Sequence, residues 1–156
     1  MFWIDLFSFY LIFITVLSII KAVEMITLHG TIYAKLLVAL SIAVCFYILG
    51  YVMELNSVRP EQIEFWNIIE YIGIPYVSAL WLSITIKYTG YPVKYKKLLI
   101  AAVYVIPIIS MLLRFTNQYH HLYFSSVSFN VIDGKLYFAK KYGIWMCVQT
   151  LHSMLM

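Results

Sequence analysis

Residues 36–53 read LLVALSIAVCFYILGYVM, a run of 18 residues with no charged side chain. As an α-helix this run rises about 27 Å, close to the roughly 30 Å of hydrocarbon in a bilayer. Four more apolar stretches lie around it. Met1–Ile20 is broken only by Asp5, Phe65–Ile86 only by Glu70, and Leu98–Leu113 by no charge, while Tyr142–Met156 holds a single histidine, His152. The first four reach spanning length once their flanks are included. The fifth, rising only about 22 Å with no basic anchor after it, falls short. The expected fold is therefore an all-α, polytopic transmembrane helix bundle of four complete spans and a partial fifth. Residues 1–156 are expected to form one transmembrane domain, the amino-terminal part of a longer protein with any output domain beyond residue 156.

Composition leads to the same class. Hydrophobic residues make up 63% of the chain and charged residues 12%, with a mean hydropathy of +0.87, whereas soluble domains carry about 25% charged residues. So little charge does not cover a globule in water, and the main partner is the lipid bilayer. The net charge of +4 fits basic cytoplasmic loops better than nucleic-acid binding. Cys45 and Cys147 sit in apolar runs without metal-ligand spacing, so neither a disulfide framework nor a metal site is expected. A cleaved signal peptide is the alternative for the first stretch, but no basic segment precedes it and no small-x-small cleavage site follows. Lys21 after the first span, and the dense set Lys87, Lys94, Lys96 and Lys97, place the amino terminus outside and residues 21–35 and 87–97 inside.

Beyond Phe115 the pattern changes to alternation, with Val127, Phe129 and Val131 before Asp133-Gly134, and Leu136 and Phe138 after it. An Asp-Gly pair between alternating residues marks a two-residue hairpin turn, because both turn positions need positive φ. A small outer β-hairpin near residues 127–138, packed as a lid on the helix ends, is expected. A flexible tether is the alternative.

No catalytic constellation is visible: HExxH, GxSxG, a phosphate-binding glycine loop and paired CxxC motifs are all missing from the sequence. No enzyme activity and no cofactor are expected of this segment. The adjacent His120 and His121 read more readily as polar interface residues beside Tyr119 and Tyr123 than as metal ligands. Glu70 stands out, because a carboxylate inside a span is costly unless it faces protein or water. Glu54 closes the second span and Arg114 the fourth on the same side, so the three are expected to meet in an outward-facing polar cavity, with Asn117 and His120 on the loop above. The alternative is that each side chain reaches to the interface independently. Gly73, Pro75 and Pro107 fall within the third and fourth spans and are expected to kink them, since each proline frees a carbonyl one turn earlier.

These residues also form an ordered set of motifs: Gly50-Tyr51-Val52-Met53-Glu54-Leu55, Glu70-Tyr71-Ile72-Gly73-Ile74-Pro75, Trp81-Leu82, Tyr88-Thr89-Gly90, and residues 116–123, TNQYHHLY. In order and spacing they resemble the amino-terminal seven-transmembrane sensor region of bacterial histidine kinases over most of residues 39–123. The resemblance implies a signal-transduction receptor in the bacterial cytoplasmic (inner) membrane that responds to a small-molecule or membrane ligand. It further implies a cytoplasmic output module of the histidine kinase, PAS or GGDEF type, and action as a homodimer, although no GxxxG or heptad seam marks an interface. A fragment of a membrane transporter or channel, with Glu54 and Glu70 lining an ion path, is the alternative from another class.

Overall fold

The computed structural model describes residues 2–90, 95–132 and 135–156. Its elements are α1 (Phe2–His29), α2 (Ile32–Asn56), α3 (Pro60–Tyr88), α4 (Lys96–Phe115), the one-turn α5 (Asn117–His120), β1 (Phe124–Ile132), β2 (Lys135–Tyr142) and α6 (Ile144–Leu155). Helices α1 to α4 are each long and apolar enough to cross a bilayer. The protein is a multi-pass helical membrane domain with a two-stranded antiparallel sheet at one end.

The helices end where the backbone chemistry ends them, not where the first charge appears. α1 was expected to stop near Ile20, yet it runs on to His29, carrying Lys21 and Glu24 as an exposed i,i+3 ion pair at 2.7 Å. The long first connection expected over residues 21–35 reduces to Gly30 and Thr31. Gly30 takes φ +53°, and the Thr31 hydroxyl accepts from the Ala34 amide as the N-cap of α2. α3 starts with Pro60 in its first turn beside Glu61, a proline placement that costs no hydrogen bond, and ends with Lys87 in its last turn.

α2 and α3 form the centre of the bundle, with α1 on one side and α4 on the other. Their approach depends on two glycines. A Cβ on Gly50 would lie 2.6 Å from the Glu70 amide nitrogen, and one on Gly73 would run into the Ala43 carbonyl oxygen. Gly73 therefore serves a backbone-to-backbone contact. The helices are continuous through Pro75 and Pro107, and both prolines are fully buried, which agrees with the tolerance of proline in spans where neighbours shield the freed carbonyl.

The hairpin is longer than expected. β1 and β2 pair from Phe124↔Tyr142 to Ile132↔Lys135, with an irregularity between Phe124 and Ser126. The Asp133-Gly134 pair that joins the strands lies outside the described residues. The base of the hairpin is fixed to the helices. Tyr123 and Phe124 are buried against Tyr71 in three edge-to-face ring pairs, packed by Leu113, Trp145 and Met146. The Gly143 amide donates to the Tyr123 carbonyl at 2.8 Å and the Trp145 amide to the Leu122 carbonyl at 3.1 Å. These bonds tie the start of α6 to the entry of β1.

Candidate functional site

The hairpin-side ends of α2, α3 and α4 hold a hydrogen-bonded polar relay. It is built on Asn67, which lies one turn before Glu70 on the same face of α3 and is completely buried. The Asn67 amide donates to Glu54 Oε2 at 2.9 Å and to Glu70 Oε2 at 3.1 Å, while its Oδ1 accepts from Arg114 Nη2 at 2.7 Å. A fourth element joins from the hairpin. Lys140 on β2 places Nζ 3.2 Å from both Glu54 oxygens, an ion pair largely shielded from solvent. One amide side chain thus connects two carboxylates and a guanidinium contributed by three helices.

Glu54, Glu70 and Arg114 lie at one end of the bundle, but they do not meet directly in the expected outward-facing cavity. They are bridged by Asn67 and closed over by the hairpin instead of opening into one cavity. Glu70 is also close to α2 because Gly50, having no side chain, lets the α3 backbone approach at that residue. The Arg114 guanidinium carbon lies 5.0 Å from the Phe124 ring centroid and 5.7 Å from that of Tyr71. The two aromatic faces offset part of the cost of burying the cation.

Asn117 and His120 are placed close by but act on the backbone. Asn117 Oδ1 accepts from the amides of Tyr123 and Phe124 at 2.9 and 3.0 Å, and its Nδ2 donates to the Phe124 carbonyl at 3.1 Å, so it clamps the entry of β1. His120 Nδ1 accepts from the Leu122 amide at 3.0 Å, and its Nε2 lies 3.0 Å from the Thr116 hydroxyl. Together these bonds shape the turn in which His121 takes φ +53°. Among the described residues no group of His, Cys, Asp or Glu is arranged to hold a metal.

Sequence reasoning missed Asn67, Lys140 and Gln149. The first had a signal, an uncharged polar residue three positions before a membrane carboxylate and therefore on its face. The others had none, since Lys140 reads as one of several surface lysines and Gln149 as an isolated residue. Gln149 is buried in α6 and accepts the Tyr123 hydroxyl. Burial pushes the Tyr123 phenol above the usual tyrosine range and keeps it a neutral donor.

Two pockets flank the relay. On one side, about 630 Å³ between α2, α3 and α6 is lined by Glu70, Tyr47, Trp81 and apolar neighbours. On the other, about 490 Å³ under the start of β1 is lined by Arg114, Glu64, Phe124 and polar residues of α5 and β1. A ligand in either pocket would touch a different end of the same hydrogen-bonded chain.

Residues 6–156 match the family described as the N-terminal 7TM region of histidine kinase. Neither a curated protein nor a solved structure matches the chain.

Proposed function

The chain belongs to the N-terminal 7TM region family of histidine kinases and is a membrane sensor region, and on that premise we propose that it converts a signal at its hairpin face into helix movement read by a cytoplasmic output module. The observation that supports this reading is the Asn67 relay. It joins Lys140 of the hairpin to α2, α3 and α4 through side chains that cannot be left unpaired at low cost. A ligand that competes for one member changes the pairing of the others, and it shifts the helices to the extent that its affinity differs between the two arrangements.

The hairpin face is taken as the outer face of the bacterial cytoplasmic membrane, with the amino terminus outside, in agreement with the dense lysines at the other end. The segment itself is taken as non-catalytic. A histidine kinase is the output the family name favours, with signalling as a homodimer. The family membership displaces the transporter reading.

The test uses the full-length protein in cells with its own output as readout. Glu70→Gln and Arg114→Gln each alter the response at unchanged membrane abundance, and the double variant is less than additive because both act through Asn67. Wild-type responses from both single variants, or strictly additive effects, would return these groups to a purely structural role. Cysteine labelling in intact cells checks the orientation: a cysteine at exposed Val58 is marked by an impermeant reagent, and one at exposed Tyr88, at the opposite end of α3, is protected.

A further inference from the structure

Arg114 is under-satisfied for a buried cation. It is 4% exposed, and a guanidinium has five N–H donors that normally find acceptors when taken out of water. Among the described residues one hydrogen bond is made, to Asn67 Oδ1, and Nε is buried with no partner. Among the same residues no carboxylate lies within ion-pair distance of it; Glu54 is paired with Lys140, and Glu70 binds the Asn67 amide. The rings of Tyr71 and Phe124 offset part of the charge but accept no in-plane hydrogen bond. The charge of Arg114, attracted by Glu64 and Glu54 at longer range, is left able to take a further anionic partner.

The place for it is the pocket of about 490 Å³ under β1, which Arg114 lines together with Glu64, Gln118, His121, Ser125 and Phe124. That volume suits a small organic molecule. Glu64 narrows the chemistry. It is exposed, and its negative charge disfavours a plain anion, above all a dianion, in the same pocket. A molecule carrying both an anionic and a cationic group satisfies both walls, and the exposed Phe115 and Val127 side chains that also line the pocket give its apolar part a surface.

We propose that this pocket binds a small zwitterion of the free α-amino acid class, its carboxylate engaging the unfilled donors of Arg114 and its ammonium facing Glu64. The inference deepens the sensor reading and rests on it, since it names what the sensor detects. Seating a carboxylate on the free donors of Arg114 neutralises the guanidinium and draws it toward the pocket, which weakens its bond to Asn67 Oδ1 and so loosens the end of the relay that holds α3 to α4.

The test measures thermal unfolding and binding on the purified full-length protein in lipid nanodiscs, with three probes: a mixture of the free L-α-amino acids, the same mixture N-acetylated, and inorganic phosphate. The free amino acids raise the unfolding midpoint and the other two do not. Arg114→Lys weakens binding about tenfold or more, because the forked donor geometry is lost. Glu64→Gln, an exposed change that leaves the fold intact, weakens it by up to about fivefold. Equal stabilisation by the N-acetylated mixture or by phosphate, with Glu64→Gln strengthening binding, would make this a simple anion site and overturn the proposal. Stabilisation by none of the probes would equally overturn it, and a lower stability of the free Glu64→Gln protein would then make Glu64 itself the counter-charge of Arg114. Binding is read on purified protein and signalling in cells, so failure here leaves the Glu70 and Arg114 response variants as the separate test of the sensor reading.

Discussion

α1 and α3 are both membrane-length helices, yet they are held by different means. α1 is exposed around most of its circumference, with large side chains such as Phe9, Phe13 and Ile20 facing outward. Among its described side chains the buried ones, Ser8, Thr15 and Ala22, are small and recur every seven positions, and Ser8 accepts from Asn56 of α2. α3 buries Asn67, Glu70, Tyr71, Gly73, Pro75 and Ser83 among others. The difference follows from the solvent. In lipid an apolar side chain gains little by leaving the hydrocarbon for a neighbouring helix, so association comes from close approach of small residues and from hydrogen bonds between helices. α1 has mainly the first; α3 has both, and carries the site.

The largest expected effect breaks the close approach at α3. Gly73→Leu drives a side chain into the Ala43 carbonyl and should cost about 3 kcal/mol or more of stability in detergent or nanodisc unfolding, whereas Phe9→Leu on the exposed face of α1 should stay within about 0.5 kcal/mol. Comparable losses from both would remove the distinction between the helices. Next comes the relay. Asn67→Leu strands Arg114 and Glu70, leaves Glu54 with Lys140 alone, and should cost about 2–4 kcal/mol, against no measurable change for Lys21→Gln, which breaks an exposed ion pair on α1.

A smaller effect is expected at the hairpin. Lys140→Gln removes the cation paired with the largely shielded Glu54 and should cost about 2 kcal/mol, the Asn67 amide still serving the carboxylate, while making the hairpin more accessible to protease or hydrogen exchange. Protection unchanged in this variant would mean that the aromatic base of the hairpin holds it alone. The smallest is Tyr123→Phe. It deletes the hydroxyl that Gln149 accepts and should cost about 1 kcal/mol or less, because the ring and its edge-to-face packing stay.

How legible the site was in the sequence varies by residue. Glu70 was conspicuous because a carboxylate in an apolar run violates the membrane solvation rule at a single position. Glu54 and Arg114 followed from their places at span ends on one side. Asn67 was not found, because an uncharged amide near a helix end is cheap enough to pass as interfacial. Its importance lies in reaching three partners on three helices, which no local pattern contains. Lys140 was hidden for a related reason: its Glu54 partner lies far away in the chain, and only the strand register turns it toward the helices.

What the sequence by itself determined was the solvent and the units within it. Long uncharged runs select spanning helices, because backbone polar groups in lipid must be paired within the segment, and the alternation around Asp133-Gly134 selects strands. Helix ends were less well determined, since Lys21 and Glu24 satisfy each other on the surface of α1 and do not stop it. Tertiary structure alone decided which faces meet. Gly50 and Gly73 bring α2 and α3 to backbone contact, that contact sets Glu70 beside α2, and the fixed base of the hairpin carries Lys140 to Glu54. In a bilayer the apolar surfaces of the spans are nearly interchangeable as partners, so the choice among packings rests on a few small and polar residues whose effect appears only once the helices are side by side.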